Sequence, residues 1–167
     1  ERVKATLVGN DTYSDVAVLS VDSSKVISVA TLGSSESLRV GDTSFTVGAP
    51  LDASAYSWTV TRGIISGKNR KVEVSSSSTS FVMNVLQTDA PINSGNSGGP
   101  LCNVNGEVIG ITNMKISNTT VEGMGFAIPI ETAIEYANKF INKEAIIRPY
   151  LGISMYDASS TILKKDG

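Results

Sequence analysis

An all-β protein with one helix towards its end is the fold class this sequence predicts, and three features carry the prediction. Short runs rich in Val, Ile, Thr and aromatic residues recur along the chain, separated by turns of Gly, Ser, Asn and Asp. Their spacing is regular, which favours a barrel or a sandwich. Only one stretch, near the end, shows a helical period.

The chain enters on an alternating pattern over residues 2–8, and an apolar run follows over 16–21. Further strands are expected over 43–47, 57–66 and 81–87. Between the last two, residues 75–80 are five serines and a threonine; they have no apolar groups to pack and read as a mobile loop. Strands over 101–104 and 108–112 flank Asn105-Gly106, the strongest hairpin signal in the chain, because both residues tolerate the positive φ of a type I′ turn. A last strand spans 125–128. After Pro129, the residues Ile130, Ile134, Ala137 and Ile141 recur every three or four positions and predict a helix ending near Asn142. Arg148-Pro149 then reads as a linker, and residues 150–155 as the first strand of a further unit.

At 167 residues the chain can bury one core of ordinary size. No apolar run approaches the ~20 residues a membrane helix requires. Sixteen acidic against fourteen basic side chains leave a net charge of -2, with no basic stripe beyond residues 68–71, so nucleic acid is not an expected partner. Cys102 is the only cysteine and histidine is absent, which excludes a disulfide, a thiolate cluster and an imidazole site within the chain. The carboxylates show no calcium-loop spacing, and no metal or cofactor is expected. Both ends break off close to strand-like patterns, so the sequence reads as a fragment whose lack of a signal peptide carries no weight.

The chemistry concentrates in residues 89–100, Asp-Ala-Pro-Ile-Asn-Ser-Gly-Asn-Ser-Gly-Gly-Pro. A nucleophilic serine needs a tight turn that exposes its hydroxyl and backbone N–H groups that converge on the oxyanion it creates; glycines around Ser97 permit both. The pattern Gly95-Asn96-Ser97-Gly98-Gly99 also fits the elbow of the α/β-hydrolases, but there a helix starts at the serine, whereas Pro100 and a strand pattern follow here. The α/β-hydrolase order needs a histidine after the serine, and the subtilisin order needs one between aspartate and serine. This chain has neither. Only the order histidine, aspartate, serine survives, with the histidine upstream of Glu1. Asp15, in Ser14-Asp15-Val16-Ala17-Val18-Leu19, is then the candidate aspartate, set beside an apolar strand where it can orient an imidazole.

These residues resemble the HtrA/Deg serine proteases. Residues 14–19 look like the family's aspartate strand, 86–90 like the strand entering the active-site loop, and 95–101 like its nucleophile loop. Residues 105–111 and 125–129 are similar to its substrate-strand hairpin and closing strand, and 148–153 to the entry of a PDZ domain. The resemblance implies a chymotrypsin-like double six-stranded β-barrel with the first barrel incomplete. Residues 1–50 would end that first barrel, 51–129 form the second with its nucleophile loop, 130–147 a linker helix, and 148–167 the start of a truncated PDZ domain.

The resemblance also implies an ATP-independent serine endopeptidase outside the cytoplasm, acting on unfolded or damaged proteins and peptides. The full-length protein would be a homotrimer and membrane-anchored. Ser97 would be the nucleophile and Asp15 the orienting carboxylate, with Gly95, Asn96 and Ser97 forming the oxyanion hole. Asn96 replaces the aspartate that precedes the serine in trypsin-like zymogens, so activation by insertion of a new N-terminus is not expected. Ile92, Thr112, Asn113 and Met114 would line an uncharged primary pocket, favouring a modest apolar P1 side chain over Lys or Arg, whose unpaired burial is costly. Residues 68–80 and 113–122 are candidate regulatory loops. As it stands the chain, lacking the base, should be nearly inert. Two other readings are a non-catalytic barrel that binds unfolded polypeptides, and a serine hydrolase using Lys25, Lys68 or Lys115 as base.

Overall fold

The computed structural model describes residues 3–49, 58–75, 80–113 and 123–148, and within them eight strands precede one α-helix. The strands are β1 (Ala5–Asp11), β2 (Val16–Val21), β3 (Thr43–Gly48), β4 (Thr59–Ser75), β5 (Ser80–Thr88), β6 (Pro100–Cys102), β7 (Val108–Asn113) and β8 (Gly125–Pro129). The helix is α1 (Ile130–Ile141), and a single 3₁₀ turn, Ser23–Lys25, follows β2. The predicted all-β class and the single C-terminal helix both stand.

β1 and β2 pair antiparallel as a separate two-stranded sheet, with a bulge between Leu7 and Gly9. The other six strands close a barrel in the order β3-β4-β5-β8-β7-β6, with β6 returning to β3. The expected boundary at residue 51 therefore falls inside the barrel, because β3 is one of its staves. The residues expected to open a PDZ domain lie, apart from Arg148, outside the described residues.

Two local expectations change. β4 runs on to Ser75, so residues 68–75 are strand; the turn-forming Gly67 and Asn69 are absorbed as irregularities in the pairing with β5, where Asn69 takes φ 52. The serine stretch beyond it, 76–79, lies outside the described residues. At the 103–107 hairpin only Gly106 has a positive φ, 77, and its N–H donates to Asn103 O at 3.0 Å. Asn105 stays on the ordinary side of the map, and the connection is a turn closed by a left-handed glycine in place of type I′.

The barrel interior is filled by Leu38, Ile65, Leu86, Leu101, Ile109 and Ala127. A second cluster, Met83, Val85, Phe126, Ile128 and Ala133, joins the outer wall of the barrel to α1, and Val16, Val72, Phe81 and Ile111 pack on it. The helix lies across both sheets, touching β7 and β8 on one side and β1 and β2 on the other. This position explains its burial. Ile130 and Ala133 are buried, whereas Ile141, expected on the same face, is 59% exposed. At the far end Gly9 of β1 makes room for Phe140, whose ring a Cβ would meet at 2.8 Å.

The N-terminus of α1 has no side-chain cap of its own. Glu131, in its first turn, instead accepts the Ser35 N–H at 2.8 Å and the Ser34 hydroxyl at 3.0 Å, and also the Ser35 hydroxyl. The connection from β2 to β3 is thereby tied to the helix. Burial pushes the Glu131 carboxyl up, but these donors and the backbone N–H groups at the helix start outweigh it, leaving its pKa below the ordinary value.

Candidate active site

Ser97 sits in the turn between β5 and β6, on the surface, and the turn is shaped by two left-handed glycines, Gly95 at φ 107 and Gly98 at φ 81. No Cβ-bearing residue adopts that pair of conformations without strain. The loop is fastened to the barrel on three sides. Gly95 O accepts the N–H of Ala49, just past the end of β3, at 3.0 Å. Gly98 N–H donates to Thr112 O at 2.8 Å, and Thr112 N–H donates to Gly99 O at 2.9 Å. Gly99 N–H closes the turn on Asn96 O at 2.9 Å.

Asn96, 4% exposed, is turned into the protein against Pro91 and Thr46. Its Nδ2 donates to Pro91 O at 2.9 Å and Thr46 Oγ1 at 3.1 Å, while its Oδ1 accepts the Asn93 N–H at 2.7 Å. Its own N–H is spent on Asn93 O. Asn96 therefore supports the loop and has no donor left for an oxyanion, which corrects its expected place in that hole. Among the described residues the Gly95 N–H has no acceptor, and it lies in the loop that presents the Ser97 hydroxyl.

Thr112 and Asn113, expected on the pocket wall, are turned to other work. Thr112 is 2% exposed, and its hydroxyl reaches Asn96 O at 2.5 Å and Gly99 O at 3.1 Å. Both ends of the Ser97 turn hang on that one side chain. Asn113, 3% exposed, donates from Nδ2 to Asp15 Oδ2 at 2.9 Å. One strand, β7, thus holds the serine loop with one residue and the aspartate with the next. Ile92 is half-buried with its Cδ1 against Gly125, and Met114 lies outside the described residues.

Asp15 closes the turn between β1 and β2 with φ 52, in the left-handed region that aspartate tolerates better than most side chains. The next residue, Val16, is anchored in the cluster beneath α1. A cleft of about 210 Å³ opens here, lined by Asn10, Asp11, Thr12, Asp15, Val16 and Ala17. Two carboxylates, Asp11 and Asp15, are part of its lining.

Of the lysines considered as an alternative base, Lys68 is engaged elsewhere. The Lys68 ammonium is held by Glu36 O at 2.6 Å and Leu38 O at 2.7 Å, which ties it to the β2–β3 connection as a structural donor. Lys115 lies outside the described residues. Burial pushes the Cys102 thiol up, so it is neutral near pH 7 and a poor nucleophile.

The sequence and the fold both have relatives. The trypsin-like peptidase domain family matches residues 1–111. A serine protease Do-like HtrA of Bacillus subtilis is 48% identical over 155 residues, covering 93% of this chain and 34% of the relative. A probable periplasmic serine endoprotease DegP-like of Pseudomonas putida is 37% identical over 166 residues, covering 99% of this chain and 33% of the relative. Among solved structures, an HtrA-type protease AlgW with decapeptide superposes with TM-score 0.74 at 38% identity, over 89% of this chain and 44% of that one. The chain thus spans about a third of the curated relatives' length. With a matched fold, a matched sequence and a glycine-framed serine on the loop before β6, the chain belongs to the trypsin-like peptidase family, among its HtrA-type serine proteases.

Proposed function

We propose that the full-length protein is a serine endopeptidase that cleaves unfolded or damaged extracytoplasmic polypeptides through an acyl-enzyme, with Ser97 as nucleophile. The observation that carries this is the β7 connection: Thr112 fixes the Ser97 loop and Asn113 fixes Asp15, so adjacent residues of one strand set serine and carboxylate relative to each other. In the reaction Ser97 Oγ attacks the peptide carbonyl carbon as its proton passes to an imidazole oriented by Asp15. The oxyanion is received by the N–H groups of Gly95 and Ser97. The imidazole then protonates the leaving amine as the C–N bond breaks, and water hydrolyses the acyl-enzyme. Since the 167 residues contain no histidine, the base comes from outside them, and this stretch by itself is inactive.

Ile92 contributes an uncharged wall to the primary pocket, favouring Val, Ile, Leu or Ala at P1; Met114, the other residue expected there, lies outside the described residues. The peptide in the AlgW structure's description and the periplasmic name of the Pseudomonas putida relative support peptide substrates and a place outside the cytoplasm. A homotrimeric, membrane-anchored full-length protein fits the same reading. The test is casein cleavage by the full-length protein and its Ser97→Ala variant. Ser97→Ala should lower kcat by at least ~10³-fold with casein binding retained. Undiminished cleavage in that variant would sink the assignment.

A further inference from the structure

The turn that carries Asp15 is fastened by groups far from it in sequence. Arg148 Nη2 donates to Asp11 Oδ2 at 2.6 Å, and its guanidinium carbon lies 4.6 Å from the centre of the Tyr13 ring. Tyr136 of α1 flanks the same guanidinium at 6.0 Å. On its other side Tyr13 meets Phe81 of β5 nearly edge to face, with ring centres 5.4 Å apart. Within the turn the Oδ2 that binds Arg148 also accepts the Ser14 N–H at 2.7 Å.

This is not an ordinary surface pair. The Asp11 side chain is only 10% exposed, and Arg148 contributes both a charged donor and a flat face stacked near an aromatic ring. Burial pushes the Asp11 carboxyl up, but the bonds from Arg148 and Ser14 outweigh it and hold its pKa below the ordinary value. Without Arg148 a mostly covered carboxylate would lose its counter-charge, and the exposed Tyr13 ring would lose one of the two groups packed on it. Both changes fall in a turn whose last residue, Asp15, is held left-handed at φ 52.

We propose that Arg148 is a positioning residue for the aspartate of the triad: by clasping Asp11 and Tyr13 it fixes the 11–15 turn and so the direction of the Asp15 carboxylate. The proposal rests on the reading of Asp15 given above. It assigns a role in catalysis to a residue beyond the end of α1 that touches neither substrate nor the reacting atoms.

The test uses the full-length protein, a quenched peptide substrate and rates normalised to titrated active sites. Arg148→Met should lower kcat by roughly tenfold while KM changes less than about twofold, since misplacing a catalytic group costs rate rather than binding. Arg148→Lys, which keeps the charge, should recover most of that loss. Asp11→Asn should match Arg148→Met, and the double variant should be no slower than either single one, the signature of two residues acting through one contact. Lys139→Ala, which removes a positive charge from α1 without touching Asp11 or Tyr13, should leave kcat unchanged. Arg148→Met with normal kcat per active site, or losses from Asp11→Asn and Arg148→Met that multiply, overturns the proposal. Asp15→Asn separates the two claims: if it retains full activity the triad reading fails, and if it is inactive while Arg148→Met is not impaired, only the clasp fails.

Discussion

Around Ser97 the chain is a closed barrel, and around Asp15 it is a two-stranded ribbon. Ile65, Leu101 and Ile109 of the barrel are fully buried, whereas Leu7 and Leu19 of the ribbon are 56% and 60% exposed. Every barrel strand is paired on both sides, so the Ser97 loop hangs from a frame complete in itself. The ribbon has no such frame among the described residues. It is held by Val16 in the cluster under α1, by Asn113, and by the Arg148 clasp. The serine is therefore placed by a core, and the aspartate by a few attachments whose loss should be felt individually.

Breaking the frame should have the largest effect. Leu101→Ala should cost about 2–5 kcal/mol in denaturant unfolding, as expected for a buried leucine with no room to collapse, while Leu19→Ala in the same chain should stay within about 0.5 kcal/mol. Comparable losses at the two sites would erase the contrast. Next comes the attachment between the halves: Asn113→Ala removes a hydrogen bond to a charged group and should cost about 1.5–3 kcal/mol, with a fall in kcat of the full-length enzyme that Leu19→Ala does not share. Gly98→Ala meets open space but must adopt φ 81, so a loss of about 1–2 kcal/mol is expected from conformation alone.

The smallest effect sharpens the comparison through pH. Asp11 fastens the ribbon and Glu131 fastens the helix, and both carboxyls have folded pKa values below their ordinary ones. Their contribution is thus complete above the unfolded carboxylate range, near pH 4, and is lost as pH falls through the lower folded values. Melting temperature should decline on acidification below about pH 4.5, and Asp11→Asn and Glu131→Gln should each flatten that decline. A slope unchanged in both variants would remove these two groups from the account.

The serine loop was legible in the sequence because its requirements are local. Gly95, Ser97, Gly98 and Pro100 lie within six positions, and each restricts the backbone in a way that can be read directly. The roles of Thr112 and Asn113 were not legible. In β7 every residue except Ile111 is buried, so alternation gives no sign of which side chain faces the pocket and which the loop. The helix was read correctly in extent, and its expected face holds through Ile130, Ile134 and Ala137 but not at Ile141, because it packs across two sheets rather than on one. Asn105-Gly106 marked its turn but not the turn type, which depends on how the flanking strands stagger. The Arg148 clasp joins residues 137 positions apart, and no local pattern announces such a pair.

The left-handed backbone at Asp15 bears on how its carboxylate can be varied. Glutamate is the usual isochemical exchange, yet a longer side chain on that backbone loses the short-range tolerance that aspartate and asparagine share, and in the proposed triad its acid group would overshoot the imidazole's reach. Asparagine keeps shape while deleting charge, so it isolates electrostatics, whereas glutamate would perturb conformation and chemistry together. The corner between β1 and β2 thereby selects the shorter acid for its backbone, and the proposed triad selects it again for its length.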